Sequence, residues 1–193
     1  MSQPIDTLME EHRVIEGVLD AFDSYVAGVQ RGATVDRARV AEFVAFFRDF
    51  ADTCHHGKEE DILFRKLVEI GFPREHGPVG VMLVEHTQGR AHVAALAAIG
   101  GGSGPVTEGE RQSLIQHARE YVPLLRRHIL KEDRILYPMA VQRLAADDLS
   151  RMVTEFETFE RDVMGEGKHH ALHHLADRLI AATGVTGSSL HHH

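Results

Sequence analysis

The hydrophobic positions of the first thirty residues repeat with helical spacing. Apolar residues recur three and four positions apart, which is typical of an amphipathic helix with one buried stripe. His12 lies inside this stripe, which consists of Ile5, Leu8, Ile15, Leu19, Phe22, Val26 and Val29. Pro4 and Asp6 suit the first turn, and Arg31-Gly32 ends the pattern. We therefore predict a first helix over about 5–29.

Four further segments carry the same kind of pattern. A second helix is predicted over about 36–70 and a third over about 78–99, with a loop at Gly71-Phe72-Pro73 between them. A Gly- and Pro-containing linker over 100–105 precedes a fourth helix. Thr107 and Glu110 have the spacing of a capping box at its start. Asp147 or Asp148 is expected to cap a fifth helix that ends near residue 164.

Glycines at 165 and 167 then separate a last helix, whose apolar stripe includes Leu172 and Leu179. No strand pattern competes with these helices, so the predicted fold class is all-α. We expect three parts: a bundle over 1–145, a helical extension packed on it over 146–184, and a tail over 185–193. The tail ends in His191, His192 and His193, which resemble the remains of a purification tag.

The composition of the chain argues against several classes of protein. No apolar run reaches the ~20 residues that span a bilayer, and the N-terminus lacks the pattern of a secretory signal. Cys54 is the only cysteine, so an intrachain disulfide is excluded, and we expect a cytoplasmic protein without a membrane partner. Acidic residues outnumber basic ones by 29 to 21, which argues against nucleic acid as the main partner. Fifteen histidines are a high number for a chain of 193 residues and require an explanation.

Five of the histidines belong to a motif that occurs twice. The sequence Glu11-His12 is followed by a block that runs from His55 through His56 to Glu59, and Glu85-His86 is followed by a block that runs from His128 to Glu132. The two separations are 43 residues, from His12 to His55, and 42 residues, from His86 to His128. His56 and Glu60 also have i,i+4 spacing, but only His55 and Glu59 align with His128 and Glu132.

Residues four apart share one face of an α-helix. His12, His55, His86 and His128 would therefore converge with Glu59 and Glu132 inside a bundle. Two buried carboxylates without partners would cost several kcal/mol, and metal ions remove that cost. Imidazole suits iron, zinc, copper and nickel, and we expect two iron ions bridged by the glutamates. The alternative is two unrelated His–Glu contacts on solvated helix faces.

With these residues, the chain resembles the hemerythrin-like, or hemerythrin HHE cation-binding, family. The resemblance covers about residues 5–144 and rests on the two repeated blocks with the preceding Glu-His pairs. It implies an up-down-up-down four-helix bundle around a carboxylate-bridged non-haem di-iron centre, with an oxo or hydroxo bridge. It also implies that the iron ligands are His12, His55, Glu59, His86, His128 and Glu132.

One position departs from the family's oxygen carriers, which have a second histidine four residues along the third helix. Arg90 stands there, so one iron is short of a protein ligand. His56 is the nearest replacement, and Glu60, Glu85 and the last helix's histidines are others. His169 lies on the apolar stripe of that helix and could close the centre, either as a ligand or as a hydrogen-bond donor behind a ligand. His92 is expected to face away from His86, and His117 is too far along its helix to join.

Several functions remain open on these residues. The di-iron centre could carry or sense dioxygen, peroxide or nitric oxide, or it could decompose peroxide or oxidise nitric oxide as an enzyme. Iron sensing or storage without turnover is a further alternative. A ferritin-like di-iron oxidase is the structural competitor, although those sites use Glu-x-x-His. The missing histidine argues against simple reversible dioxygen carriage. No protein partner can be named.

Overall fold

A computed structural model describes residues 3–165 and 167–182, and within them the protein has six helices and no strand. The prediction of an all-α fold is confirmed, and each predicted helix is present. The helices are α1 (Gln3–Gln30), α2 (37–69), α3 (Gly77–Gly100), α4 (108–143), α5 (146–164) and α6 (Lys168–Ala182). None of the helices in the described ranges has both the length and the apolarity needed to cross a bilayer.

Helices α1 to α4 form an up-down-up-down bundle. Each helix contacts its neighbours with residue numbers running in opposite directions, which defines antiparallel packing. The contacts that show this are Tyr25–Asp36 and Glu11–His55 for α1 and α2, Asp52–Arg90 and Glu60–His86 for α2 and α3, His92–His117 and Glu85–His128 for α3 and α4, and Asp20–Arg126 and His12–Asp133 for α1 and α4.

Two of the bundle helices contain π-helical turns. In α2, the α-helix Arg37–Phe46 continues into π-helical segments at Phe47–His56 and Glu59–Phe64. In α4, the π-helical segment Glu132–Leu136 follows the α-helix Glu108–Lys131. These segments contain or adjoin both repeated blocks, and wide turns of this kind are frequent at functional sites.

Side-chain caps mark the starts of α2, at Asp36, and of α4. Thr107 and Glu110 form the predicted capping box at the start of α4. The predicted cap of α5 is wrong, because Ala145 occupies the N-cap position and offers no side-chain acceptor. Asp147 and Asp148 lie in the first helical turn instead, where their charge complements the helix dipole.

A polar layer divides the hydrophobic core into two clusters. One cluster lies between Ile15 and Val29 on α1 and continues across the other helices, while the second begins with Ile5 and Leu8 at the other end of the bundle. His12 lies between the two clusters and is fully buried. The repeated blocks on the other helices lie at the same level, so the core is interrupted there by charged groups.

The C-terminal helices pack mainly on α1 and α2. Two glycines allow this close approach. A Cβ atom at Gly57 would lie 2.5 Å from the ring of Phe159 in α5, and one at Gly17 would lie 2.9 Å from Ile180 in α6. The predicted tail over 185–193, with its tag-like histidines, lies outside the described residues.

Candidate metal centre

The polar layer contains two groups of side chains whose potential ligand atoms lie within 4.8 Å of one another. All of these residues are buried. The first group consists of His12, His55, Glu59 and Glu132, and the second of His56, Glu59, His86 and His128. The structure thus brings together the six residues predicted from the repeat, together with His56. We call these seven residues the inner set.

Both glutamates lie between the two groups. Glu59 Oε2 is 3.7 Å from His55 Nε2 and 3.4 Å from His86 Nε2. Glu132 Oε2 is 3.3 Å from His12 Nε2 and 3.2 Å from the Nε2 atom of His128. Each carboxylate therefore faces one imidazole of each group, which is the position that a bridging carboxylate occupies between two ions.

Each inner histidine has a second carboxylate behind it. These five outer carboxylates accept hydrogen bonds from the Nδ1 atoms, in the pairs His12–Asp133 (2.7 Å), His55–Glu11 (2.8 Å), His56–Asp52 (3.3 Å), His86–Glu60 (2.7 Å) and His128–Glu85 (3.0 Å). A carboxylate only accepts, so Nδ1 carries the proton and the Nε2 lone pair of a neutral ring faces the centre. This arrangement orients histidine ligands in metal sites.

The inner set fits metal ions because its buried polar atoms do not satisfy one another. His55 Nε2, Glu59 Oε2 and both carboxylate oxygens of Glu132 have no hydrogen-bond partner among the described residues. The Nε2 atoms of His86 and His128 lie 3.1 Å apart, although each ring already donates from Nδ1. Buried polar groups are normally paired, and metal cations bound within the two groups would satisfy these atoms.

A comparison with known families agrees with this geometry. The model described as the hemerythrin HHE cation-binding domain matches residues 3–140, which include the whole inner set. The chain belongs to this family. The bundle is therefore hemerythrin-like rather than ferritin-like, and the family relationship predicted from the repeat is confirmed.

Three uncharacterized mycobacterial proteins are similar to this hemerythrin-like chain. One is from Mycobacterium bovis and two are from strains of Mycobacterium tuberculosis, and each is 23% identical to it over 161 residues. The match covers 83% of this chain and 62% of each relative, so the chain spans less than two thirds of the relatives' length. No solved structure matches the chain.

In the hemerythrin-like centre, neighbouring carboxylates stabilise the protonated form of two of the histidines. Burial opposes protonation of His12, but Asp133 and Glu132 outweigh it and raise the pKa of His12 to about 9. Burial likewise opposes protonation of His128, and Glu132 and Glu85 raise its pKa to about 10. In contrast, burial and the neighbouring His86 and His128 lower the pKa of His56 well below its usual value.

Two lysines support the outer carboxylates. Lys58 is fully buried and forms ion pairs with Glu11 and with Glu160 of α5, the latter at 2.6 Å. Lys131 pairs with Glu85 in the equivalent position of the second half. Burial disfavours a charged Lys58, but Glu11 holds its pKa above the usual value. The Lys-Glu sequence in each block therefore places a cation behind one inner histidine.

Tyr137 was missed by sequence reasoning, which placed it in the hydrophobic core. Its ring is buried and stacks on His12 at 5.4 Å, and its hydroxyl donates a hydrogen bond to Glu59 Oε1 at 2.6 Å. Burial and then the Glu59 charge raise the pKa of Tyr137, so the phenol stays protonated. The available signal was the repeat alignment, in which Tyr137 corresponds to Phe64, a ring that stacks on His86.

Most of the alternatives for an additional ligand lie outside the inner set. Arg90 turns away from the centre and pairs with Asp52 at 2.8 Å and Glu60 at 2.7 Å. Glu60 and Glu85 act as outer carboxylates instead. His56 does belong to the inner set, and its ring stacks on His86 at a centroid distance of 3.8 Å. It therefore occupies the second group, for which α3 provides only one histidine.

His169 lies behind the outer carboxylates and belongs to neither inner group. Its Nε2 atom is 3.7 Å from Glu11 Oε1, and its ring stacks on Phe50 at 5.6 Å. Glu11 in turn accepts a hydrogen bond from His55. Of the two roles expected for His169, this placement corresponds to a contact behind a ligand rather than to a direct ligand. The residue is positioned to act through Glu11.

We expect His169→Ala to keep the metal content of the protein and to lower its stability slightly. The side chain contacts a buried carboxylate but is about one third exposed, so the loss should be about 1 kcal/mol or less. Urea unfolding measures it, with His170→Ala as the matched control, because His170 is exposed on the same helix. Loss of one metal ion from His169→Ala alone would contradict the placement.

Proposed function

We propose that the inner set holds two iron ions and that the pair binds or reacts with a small oxidant. His12 and His55 would hold one ion, His56, His86 and His128 the other, and Glu59 and Glu132 would bridge them. The observation that carries this proposal is the position of the two buried carboxylates, each facing one imidazole of each group. When bound, two iron ions supply the electrons and the open coordination position that dioxygen, peroxide or nitric oxide chemistry requires.

The two groups would give the two ions different ligands. The second group has three imidazoles, whereas the first has two together with the nearby hydroxyl of Tyr137, which is 3.3 Å from His12 Nε2. Because Tyr137 donates to Glu59, it would orient a bridging carboxylate and hold a hydrogen bond at that oxygen. This asymmetry favours ligand binding or turnover over symmetrical storage of two equivalent ions.

A cavity of about 140 Å³ on the α2–α3 side reaches His56 of the inner set. Apolar groups, including Phe47, form most of the rest of its wall, which also contains three charged residues, Arg48, Asp52 and Arg90. The volume accommodates a few waters or a small molecule, and apolar walls favour uncharged ligands. Dioxygen, nitric oxide and hydrogen peroxide are small and uncharged, so the cavity supports a ligand of this class.

The test is to mix reduced, iron-loaded protein separately with dioxygen, hydrogen peroxide and nitric oxide while recording the absorption of the iron pair. We expect a spectral change with at least one of them. A dioxygen spectrum that reverses on removal of the gas would indicate carriage, and oxygen evolution from peroxide would indicate an enzyme. No change with any of the three would contradict the proposal and favour iron sensing or storage.

Ala94→Phe is expected to slow the reaction with the small ligand by about ten-fold or more, corresponding to ~1.4 kcal/mol in the barrier to entry. Ala94 is exposed on α3 and lines the cavity, so a phenyl ring there would obstruct it without disturbing the core. Stopped-flow absorbance measures the rate. The matched control is Ala98→Phe, one helical turn further along and outside the cavity. Equal rates in both variants would show that ligands enter elsewhere.

A further inference from the structure

A second cluster of potential ligands lies at the surface between α3 and α4. His92 of α3 faces His117 of α4, with their Nδ1 atoms 3.1 Å apart. Glu120 lies one turn after His117, and its Oε2 atom is 3.8 Å from the Nδ1 atom of His92. The three potential ligand atoms lie within 4.8 Å of one another. None of these residues belongs to the inner set.

The distances in this cluster match those around a single ion. Two ligand atoms bound to tetrahedral zinc at about 2.0–2.1 Å lie ~3.3 Å apart. The Nδ1 separation of 3.1 Å is close to this value, and the distance of 3.8 Å between the Glu120 oxygen and His92 Nδ1 exceeds it by about half an ångström. Glu120 is partly oriented already, because its other oxygen accepts a hydrogen bond from Gln116 at 3.2 Å.

The chemistry of the three side chains also suits a divalent transition metal. Two imidazoles and one carboxylate form a common zinc donor set that leaves a fourth position for water or another ligand. Burial and the neighbouring His117 lower the pKa of His92, which keeps its ring neutral. A neutral ring can carry its proton on Nε2, which frees the Nδ1 lone pair for the ion.

The internal repeat shows that the bundle itself does not require these residues. Counted from the aligned inner histidines, the corresponding positions of the first half are occupied by Val18, Val44 and Phe47. All three are buried hydrophobic residues. The C-terminal helices pack mainly on α1 and α2, whereas the cluster lies on the α3–α4 side. The polar side chains are therefore specific to the second half of the chain.

An open cleft of about 300 Å³ adjoins the cluster. Its lining residues include two potential metal ligands, His92 and Glu120, and two cationic side chains, Arg119 and Arg127.

We propose that His92, His117 and Glu120 form a surface site for one divalent transition-metal ion of the zinc class. The cleft leaves space for a further ligand of that ion, and the arginines favour a small anion there.

The experiment measures zinc and iron together in dialysed, iron-loaded protein at a chelator-buffered zinc concentration. Wild-type protein is expected to retain one more zinc per chain than His117→Ala, with equal iron in both. His92→Ala should lose the same single zinc, and Glu120→Gln should bind it about ten-fold more weakly. Unchanged helicity and iron content establish that the variants are folded.

His170→Ala is the control for background binding. His170 and His174 on α6 form another pair of nearby imidazoles, with their Nε2 atoms 3.0 Å apart, but no carboxylate within the described ranges completes it. Equal zinc in wild type and His117→Ala would overturn the proposal, as would loss of the zinc only in His170→Ala. Because the zinc difference is taken between proteins of equal iron content, its outcome does not depend on whether the inner set holds two irons.

Discussion

Glu59→Gln is expected to reduce the metal content of the iron-loaded protein from two ions per chain to one or none. The side chain keeps its size, and its remaining carbonyl oxygen can still accept the hydrogen bond from Tyr137. The amide nitrogen, however, cannot act as the second oxygen of a bridge. Since Glu59 Oε2 faces His55 and His86 from different groups, both ions would lose a ligand together with one negative charge. Glu132→Gln should have the same effect.

Two control variants make this test specific. Glu69→Gln lies on the same helix at an exposed position and should leave the iron content unchanged. Glu60→Gln removes an outer carboxylate, which in metal sites typically weakens affinity by about 10–100-fold without removing a ligand. Protein loaded with excess iron should therefore still contain two ions in this variant. If Glu60→Gln lost iron while Glu59→Gln kept it, the register of the repeat would be one residue in error.

Removal of the metal is expected to lower the melting temperature substantially. Without ions, Glu59 Oε2 and both carboxylate oxygens of Glu132 are buried without a hydrogen-bond partner among the described residues. Ligand present at 100 times its Kd stabilises a protein by about 2.7 kcal/mol, and 1 kcal/mol corresponds to roughly 2–4 °C at this chain length. The loss on chelation should therefore be on the order of 10 °C, measured by calorimetry or by the helical circular dichroism signal.

The control for this result is a protein that cannot bind the ions. In the double variant Glu59→Gln, Glu132→Gln, chelator should leave the melting temperature unchanged, because no ion is present to be removed. Wild-type protein that melts at the same temperature with and without chelator would show that the inner set is stable as a network of ion pairs alone. It would then be a structural feature of the bundle rather than a metal centre.

The repeated blocks made much of the candidate centre predictable. Helical spacing places His55 with Glu59 and His128 with Glu132 on common faces, and the apolar stripe of α1 places His12 inward. The family relationship, the helix order and the all-α fold follow from the same residues. The capping box at Thr107 was equally local, because it depends on two residues three positions apart.

Other features depend on geometry that spacing alone does not contain. His55 and His56 are adjacent, so helical spacing predicts clearly different directions for them, yet both belong to the inner set and lie in a π-helical segment of α2. The hydroxyl of Tyr137 is a single atom that distinguishes it from Phe64 at the equivalent position. The contact of His169 with Glu11 requires the packing of α6 on α1, which no local pattern specifies.

The most direct measurement is the metal content of protein produced under iron-replete conditions, determined by elemental analysis. The His117→Ala variant should be used beside the wild type, so that zinc at the surface cluster is not counted with the centre. The account predicts close to two irons per chain in both proteins. One iron per chain, or zinc in place of iron in His117→Ala, would contradict a di-iron centre built from the inner set.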